Sequence, residues 1–367
     1  MAELDQITVA TKRYIRKRPD LADFVFNKDP LLAYLKQNVN ESYDGGRLIQ
    51  ETFVYDGLIG GPYEKGKEFN TTQPQVEQAL QFTPRYFQVG VTLYKEDIQV
   101  INKGPNAIFP IIESRLENAY TTIGAHMALG LYLEGQNANY TANFNGMAEA
   151  FNDNSTASWN DSTYSTYGTI TRGGATGNVL NSAPENVNGT IEYSTLEETY
   201  ADASFGAGEW EPNIGVTTYK GYSFIKEKFQ TQQRFNNVTD AKIGFNGLEF
   251  NNATILRSRY APGSYLFGSS GAADSIAVTF MEQMSLGALT AYPVPAGYSS
   301  GDYETLWWVN ARKPHVNFYV SNDAEYGFGF TGFKPSQGNT KVIGQVLFAG
   351  AVTFAPRYGK QLYAITG

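Results

Sequence analysis

Gly45-Gly-Arg-Leu-Ile-Gln-Glu-Thr-Phe-Val-Tyr55 decides the fold, read together with the chain that follows it as far as Gly135. Arg47 to Tyr55 is rich in β-formers. Farther on, Phe87, Val89, Val91 and Leu93 alternate with Gln88, Gly90 and Thr92, the period of a strand with one apolar face. Between these arms lie Gly57, Gly60, Gly61 and Gly66 in polar surroundings, with no apolar run long enough to fill a core. A tight hairpin closes in about two to five residues, so the pattern predicts two strands reaching outward. With half of residues 46–94 running each way, the reach is up to ~80 Å at about 3.3 Å per residue. A ribbon that long cannot bury itself and is marginal alone. It requires a neighbouring subunit to lie on.

The ribbon runs into a helix. Asn106 can cap it and Gly135 sits where a C′ glycine belongs. Ile112, Leu116, Ala119, Ile123 and Met127 repeat on one face of a 3.6-residue period, and Pro110 falls near the tolerant first turn. About 29 residues at about 1.5 Å each give a rod of roughly 43 Å. Gly124 and Gly130 point to close backbone packing, or are merely tolerated at ~1 kcal/mol each.

Outside this region the pattern is α+β, with no internal repeat and a central insertion between two pieces of one sheet-and-helix layer. Residues 1–44 read as an arm. Asp5 or Thr8 can cap a short helix through Arg18, ended by Pro19, and a second amphipathic piece spans Leu31 to Leu35. Gln136 to Asn188 is Asn-, Ser-, Thr-, Tyr- and Gly-rich and predicts exposed loops with short strands. Ser194-Thr-Leu-Glu197 has capping-box spacing and opens a helix to about Ala203. A strand at Pro212 to Thr217 and a helix at Tyr219 to Phe229 follow. Further strands are expected at residues 241–245, 253–259, 264–267 and 307–320. The chain closes in a meander over 342–348, 351–354 and 361–365.

Composition removes whole classes of chemistry. The 367 residues include no cysteine and only two histidines, His126 and His315. Disulfides, thiol nucleophiles, Cys-ligated zinc and multi-His metal sites are therefore out of reach. The net charge of −8, from 28 basic and 36 acidic residues, is the wrong sign for a protein whose whole surface grips duplex DNA. Aromatics at 14% fit either an aromatic-rich β core or extensive interfaces. The longest apolar run, Val346 to Ala355, is too short to span a bilayer, and no signal-peptide h-region is visible. Charge is uneven: Lys12, Arg13, Arg16, Lys17 and Arg18 crowd together, and no acid follows Glu325. That basic cluster is either a solvated helix end or a contact for a negative surface, such as a neighbour's acidic patch, a scaffold or DNA.

Three enzyme-like strings fail on context. Gly61-Pro-Tyr-Glu-Lys-Gly-Lys67 has P-loop spacing, but Glu68 stands where Ser or Thr would hold magnesium. Gly327-Phe-Gly-Phe-Thr-Gly332 matches a dinucleotide fingerprint, yet the turn Lys334-Pro-Ser-Gln-Gly338 replaces the required helix. Gly297-Tyr-Ser-Ser-Gly301 has nucleophile-elbow spacing without strand–turn–helix flanks. Adjacent carboxylates such as Glu96–Asp97 and Glu197–Glu198 do not face one another. No catalytic, cofactor or metal residue is expected.

In order and spacing these features resemble the major capsid proteins of tailed bacteriophages with the Hong Kong 97-type shell fold, over nearly the whole chain. Asn27-Lys-Asp-Pro-Leu-Leu32 is similar to that family's N-arm. Gly45 through Tyr63, and back through Phe82 to Asp97, resembles its extended E-loop, and Asn106 to Gly135 its spine helix. Gly244-Phe-Asn-Gly-Leu-Glu-Phe250 and Pro262-Gly-Ser-Tyr-Leu266 resemble later axial-domain strands, and Pro356 to Ile365 the closing strands of the peripheral domain. The resemblance implies an N-terminal arm at 1–44, an E-loop at 45–95, an axial domain at 139–325, and a peripheral domain with its spine helix at 96–138 and 326–367. It implies a non-enzymatic virion protein that forms hexamers and pentamers of an icosahedral head, assembled in the host cytoplasm around double-stranded DNA. An acidic or neutral lumen would let DNA slide, with only weak non-specific contact. Implied partners are a separate scaffolding protein and a portal, with a decoration protein as a further candidate, and no membrane. The expected subunit interface is Arg47, Glu51, Tyr55, Tyr63, Glu64, Lys65 and Lys67 of the E-loop. Some relatives cross-link an E-loop lysine to a neighbour's asparagine; Lys65 and Lys67 sit at the tip, but no partner Asn or promoting Glu can be matched. An encapsulin-type bacterial nanocompartment is the alternative within this fold, and a secreted β-rich binding module the alternative outside it.

Overall fold

The computed structural model describes residues 29–72, 74–95, 105–135, 143–160, 162–230, 237–240, 245–263, 304–336 and 340–367. The helix expected before Pro19, the basic cluster Lys12–Arg18, the strand at 264–267 and Gly297–Gly301 all lie outside these residues.

Helix α1 (Pro30–Asn38) forms because Asp29 Oδ2 accepts the backbone N–H groups of Leu31 (3.1 Å) and Leu32 (3.2 Å), and proline opens the first turn. Its Leu31, Leu32 and Leu35 are buried. After β1 (Asn40–Tyr43), β2 (Ile49–Val54) pairs antiparallel with β3 (Glu77–Phe82), from Ile49 opposite Phe82 to Val54 opposite Glu77. The six-residue ladder reaches about 20 Å at about 3.3 Å per residue, far short of the span expected from sequence. The rest of the excursion is an irregular tip.

The alternating segment read as the returning arm is β4 (Arg85–Tyr94), and it is not part of the ribbon. It pairs with β16 (Lys341–Phe354) over ten positions, setting Phe87, Val89 and Leu93 opposite Phe348, Val346 and Val342. Period-two alternation identifies a half-buried strand but not its partner. The apolar positions of β16 match, and the cross-strand pairs decide the register.

Helix α2 (Pro105–Gly130) spans 26 residues, about 39 Å long at about 1.5 Å per residue. Ile112, Leu116, Ala119, Ile123 and Met127 are all buried, as their spacing predicts. Its ends differ from expectation. Asn106 is already inside the helix, and a tight turn follows Gly130, with Tyr132 N–H donating to Leu129 O at 3.0 Å. Gly135 instead gives its N–H to the buried Glu149 carboxylate at 3.1 Å.

Apart from one-turn helices such as Met147–Ala150 and Gly174–Gly177, the chain continues with the small hairpin β5 (Thr166–Tyr167) and β6 (Ile170–Thr171), then β7 (Glu185–Thr190), α3 (Tyr193–Asp202) and β8 (Ile214–Thr217). Next come α4 (Tyr219–Gln230), β9 (Asn237–Asp240), β10 (Phe245–Phe250) and β11 (Ala253–Arg257). The chain then forms β12 (Glu304–Val309), β13 (Val316–Ser321), β14 (Gly327–Phe330), β15 (Lys334–Pro335) and, after β16, β17 (Gly359–Thr366). They build two sheets. In the first, β4 covers one side of β16, while β13, β14 and β15 share the other and β1 adds parallel to β13. The second has the order β7-β17-β12-β8-β11-β10-β9.

Two expectations change here. Residues 307–320 are two strands in different sheets, with Asn310 to His315 as the crossing. The closing segment is not a meander. β16 runs unbroken, and β17 leaves the first sheet to lie between β12 and β7 in the second, away from the peripheral strands that Pro356–Ile365 resembled.

The described part of the 136–188 segment, 143–160 and 162–188, is also less exposed than its composition suggests. Phe144, Met147, Phe151, Trp159 and Tyr167 are buried in the main core. The polar residues there satisfy buried backbone: Asn152 Oδ1 accepts from Asn154 N (2.8 Å) and Tyr164 N (3.1 Å), and Tyr167 hydroxyl bonds Phe354 O at 2.9 Å. The Ser194–Glu197 spacing does not form a capping box. Helix α3 starts at Tyr193, with Glu192 in the N-cap position and no side-chain cap.

Two predictions follow from this packing. A Cβ at Gly146 would stand 2.2 Å from Leu133 O and 2.7 Å from Gly130 O, both backbone atoms, so Gly146→Ala is expected to destabilise by about 1–3 kcal/mol in urea unfolding. Gly57→Ala, with nothing within 4 Å, is the control expected to leave the midpoint unchanged. The second concerns Asp29, whose Oδ1 accepts the Ser258 hydroxyl. Burial pushes its carboxyl from 3.8 up to about 6 despite its hydrogen bonds. The native state therefore holds this proton more tightly than the unfolded chain does. The associated stability is complete below pH 3.8 and is lost as pH rises through about 6. Asp29→Asn keeps a capping oxygen and should gain on the parent by up to about 3 kcal/mol across that window. A parallel pair of stability–pH curves would overturn the assignment.

Candidate assembly surface

Along β2 and β3 the side chains alternate, so the ribbon has an anchored face and an outward face. Ile49, Leu80 and Phe82 are buried, and Phe82 packs edge-on against Tyr167 with ring centroids 5.3 Å apart. Gly168 lets this base seat closely. Its φ is +53°, a Cβ there would lie 2.9 Å from Leu80, and its carbonyl accepts Gln81 N–H at 2.9 Å.

Glu51 belongs to the anchored face. Its Oε1 accepts from Asn317 Nδ2 (2.9 Å), Tyr319 hydroxyl (3.0 Å) and Thr353 Oγ1 (2.5 Å), clasping β2 to β13 and β16 of the same chain. Burial, then the Glu51 charge, push the Tyr319 hydroxyl well above its ordinary value, so it stays a donor. Tyr55 is half-buried at the neck of the tip, with its N–H on Val76 O (2.9 Å) and its hydroxyl on Gln75 O (2.5 Å).

Beyond the neck, burial stops. Tyr63, Glu64, Lys65 and Lys67 are exposed there, as is Arg47 at the ribbon's foot before β2. So are large apolar side chains: Leu58 is 75% accessible, Tyr63 and Phe69 are each 66%, and Ile59 joins them, with Val54 exposed at the end of β2. Tyr63 and Phe69 meet edge to face at 4.9 Å, a pair with no core beneath it. The structure thus gathers Tyr63, Glu64, Lys65 and Lys67 at the tip, while Glu51 turns inward. Leu58, Ile59 and Phe69 were not singled out from sequence. Their signal was available, as apolar residues in a glycine-rich segment with neither period. Large apolar side chains exposed together along one short segment make it a candidate interaction surface.

Two of the three enzyme-like strings lie within the described residues, and both lack the flanks their chemistry needs. Gly61–Lys67 is exposed loop, with no strand before it or helix after it. Gly327–Gly332 is strand β14 running on towards β15. Among the described residues no group of three or more His, Cys, Asp or Glu could hold a metal ion. No helix among them is long and apolar enough to cross a membrane.

No family model and no curated protein matches the chain. Its fold, however, is similar to several solved shells. The capsid of cyanophage A-1(L) superposes with a TM-score of 0.56 at 12% identity, covering 92% of this chain and 93% of that one. The SrpI encapsulin of Synechococcus elongatus gives 0.55 at 8%, covering 92% and 88%. The head of a Helicobacter pylori bacteriophage gives 0.50 at 10%, covering 89% and 86%. The chain therefore has the mixed helix-and-sheet fold of phage capsid and encapsulin subunits.

Removal of the Glu51 carboxylate tests the clasp. Glu51→Ala strands three donors and is expected to cost about 1–3 kcal/mol in denaturant unfolding. Glu51→Gln keeps an acceptor and should recover much of the loss; equal losses for both would contradict the hydrogen-bond reading.

Proposed function

We propose that the chain is the major capsid protein of a tailed bacteriophage and self-assembles into the icosahedral head that encloses double-stranded DNA. One observation carries this reading: the ribbon tip presents Leu58, Ile59, Tyr63 and Phe69 to solvent on a fold shared with shell subunits. In this reading β2, β3 and the tip are the E-loop, α2 is the spine helix, and the sheet around β16 is the peripheral layer. The sheet around β12, with α3 and α4, is the axial layer. A neighbour in a hexamer or pentamer would supply the cover that the tip lacks in its own chain. The net charge of −8 suits a lumen from which packaged DNA can slide, with only weak contact to the protein. A separate scaffolding protein and a portal would complete the head, and a decoration protein is a further candidate.

A second reading, an encapsulin-type bacterial nanocompartment, is favoured by one fact: the encapsulin superposes about as well as the cyanophage capsid. Particle contents separate the two, nuclease-protected duplex DNA against a protein cargo.

The test is to replace residues 57–74 by a short Gly-Ser link, which leaves β2 and β3 intact. The parent should form closed shells or capsomer rings by light scattering and negative-stain microscopy. The shortened chain should remain soluble and folded but form none. Normal shells from it would remove the reason for assigning the tip an assembly role.

A further inference from the structure

Strand β4 is paired on one side alone. Its ten positions follow β16 without a bulge, and no other described strand joins it. The backbone directions on its free side follow from those of β16. Ala349 N–H donates to Tyr326 O at 2.9 Å, and Gln345 O accepts Thr331 N–H at 3.0 Å, so both residues bond away from β4. Tyr86 and Gly90 stand opposite Ala349 and Gln345, and Gln88 stands opposite Leu347 between them. In an antiparallel pair, residues opposite one another either bond each other or both turn away. Tyr86, Gln88 and Gly90 therefore turn their N–H and C=O groups outward. Among the described residues no donor or acceptor meets them there. All three are exposed, Tyr86 at 65%. The next outward carbonyl, that of Thr92, accepts from Arg115, and Pro84 has no N–H to offer, so the free edge runs from Tyr86 to Gly90. It carries no charge, no proline and no bulge, the devices that ordinarily blunt an edge.

An open edge takes another strand, and this one fits a second copy of itself. We infer that the β4 edges of two copies pair antiparallel about a two-fold axis at Gln88, a step that rests on the self-assembly reading. This register uses every free group. Gln88 meets Gln88 and Tyr86 meets Gly90 on either side of it, three pairs that each exchange two bonds. Sliding the register by two residues sets Gly90 against Pro84 one way, or Tyr86 against the occupied Thr92 the other. The side chains agree. The Tyr86 ring falls across from Gly90 of the second copy, where nothing lies within 4 Å of a Cβ position, and an aromatic ring over an edge glycine is a stabilising cross-strand arrangement. On the opposite face Phe87 meets Val89, an aromatic–β-branched pair. No copy can pair its β4 with itself, so the contact is necessarily between copies. It is also of a kind that a shell requires. Tip contacts are heterologous and close rings, whereas an isologous edge joins one ring to the next.

The absence of cysteine allows a single-residue test in the full chain. In Gln88→Cys the two thiols face each other across the axis, with Cβ atoms about 5 Å apart, and a short bismaleimide should yield a covalent dimer. Adding Gly90→Pro to the Gln88→Cys chain should abolish that dimer, because the ring replaces an outward N–H that the ladder to β16 does not use. Tyr86→Ser, which spares the backbone, should reduce it. A dimer yield no greater than that of the exposed control Glu198→Cys, or one indifferent to both substitutions, would overturn the assignment. Light scattering on the same samples distinguishes the failures. Particles without the dimer sink the edge pairing alone. A dimer without particles sinks the shell reading and leaves the two-fold contact standing, and the absence of both sinks both.

Discussion

The fold depends on β12 having to be buried on both faces. Trp307 and Trp308 are adjacent and fully buried, so the strand's alternation sends one to each side of the second sheet. Trp308 joins Tyr200, Phe250 and Leu306 beneath α3 and α4, while Trp307 packs against Tyr132 and Phe151 in the larger core around α2. A strand in this position needs a layer on each side, which is why the Asn- and Tyr-rich segment after α2 folds inward instead of lining the surface. It also explains the path of the C-terminal strands. β16 supplies the spine of the first sheet, and β17 crosses over to flank β12, tying the two sheets into one hydrophobic cluster.

Strongly shifted titratable groups follow from that packing and do not gather in a cleft. Burial alone lowers His126 to about 4 and raises Tyr120 to about 12. Arg172, lowered to about 10 mainly by burial, donates to the carbonyls of Glu149 (2.5 Å), Ala150 (3.0 Å), Asn152 and Leu180. Its guanidinium staples the irregular segment after α2 from within. Perturbed ionisation is a pointer to catalysis when the groups converge on accessible space. Here Asp29, Tyr120, His126 and Arg172 each serve the element that buries them.

How much was legible in the sequence follows the range of the interaction involved. The apolar face of α2 is a local, 3.6-residue pattern, and all five positions read from it are buried. The glycine-punctuated excursion was legible as well, and Tyr63, Lys65 and Lys67 do lie at an exposed tip. Its length was not. The alternation of Phe87 to Leu93 says that a strand has one apolar face, but the partner is β16, some 250 residues away. Residues 307–320 look continuous because both halves are β-rich; only the change of sheet reveals the break. The inward turn of Glu51 was not legible for a related reason. Every second residue of a strand turns inward, and which ones do so depends on Asn317, Tyr319 and Thr353.

The division between a heavily packed body and an uncovered tip constrains how the subunit can associate. The ribbon base is held by Phe82 on Tyr167 and by the Glu51 clasp, so its direction is set by the body before any partner arrives. The tip beyond Tyr55 is different: among the described residues its only ring pair is Tyr63 with Phe69, and ordering it on a partner would carry a backbone entropy cost for each residue fixed. Apolar burial of a few side chains must offset that cost, which makes a single tip contact weak. A contact in which one copy gives its tip and receives another's on a different surface is heterologous, so it repeats around a ring until the ring closes. Closure makes the last contacts intramolecular and raises their effective concentration without any new interaction. On the assembly reading proposed above, weak pairwise association with strong closed assemblies is what a rigid base carrying an uncovered apolar tip would produce.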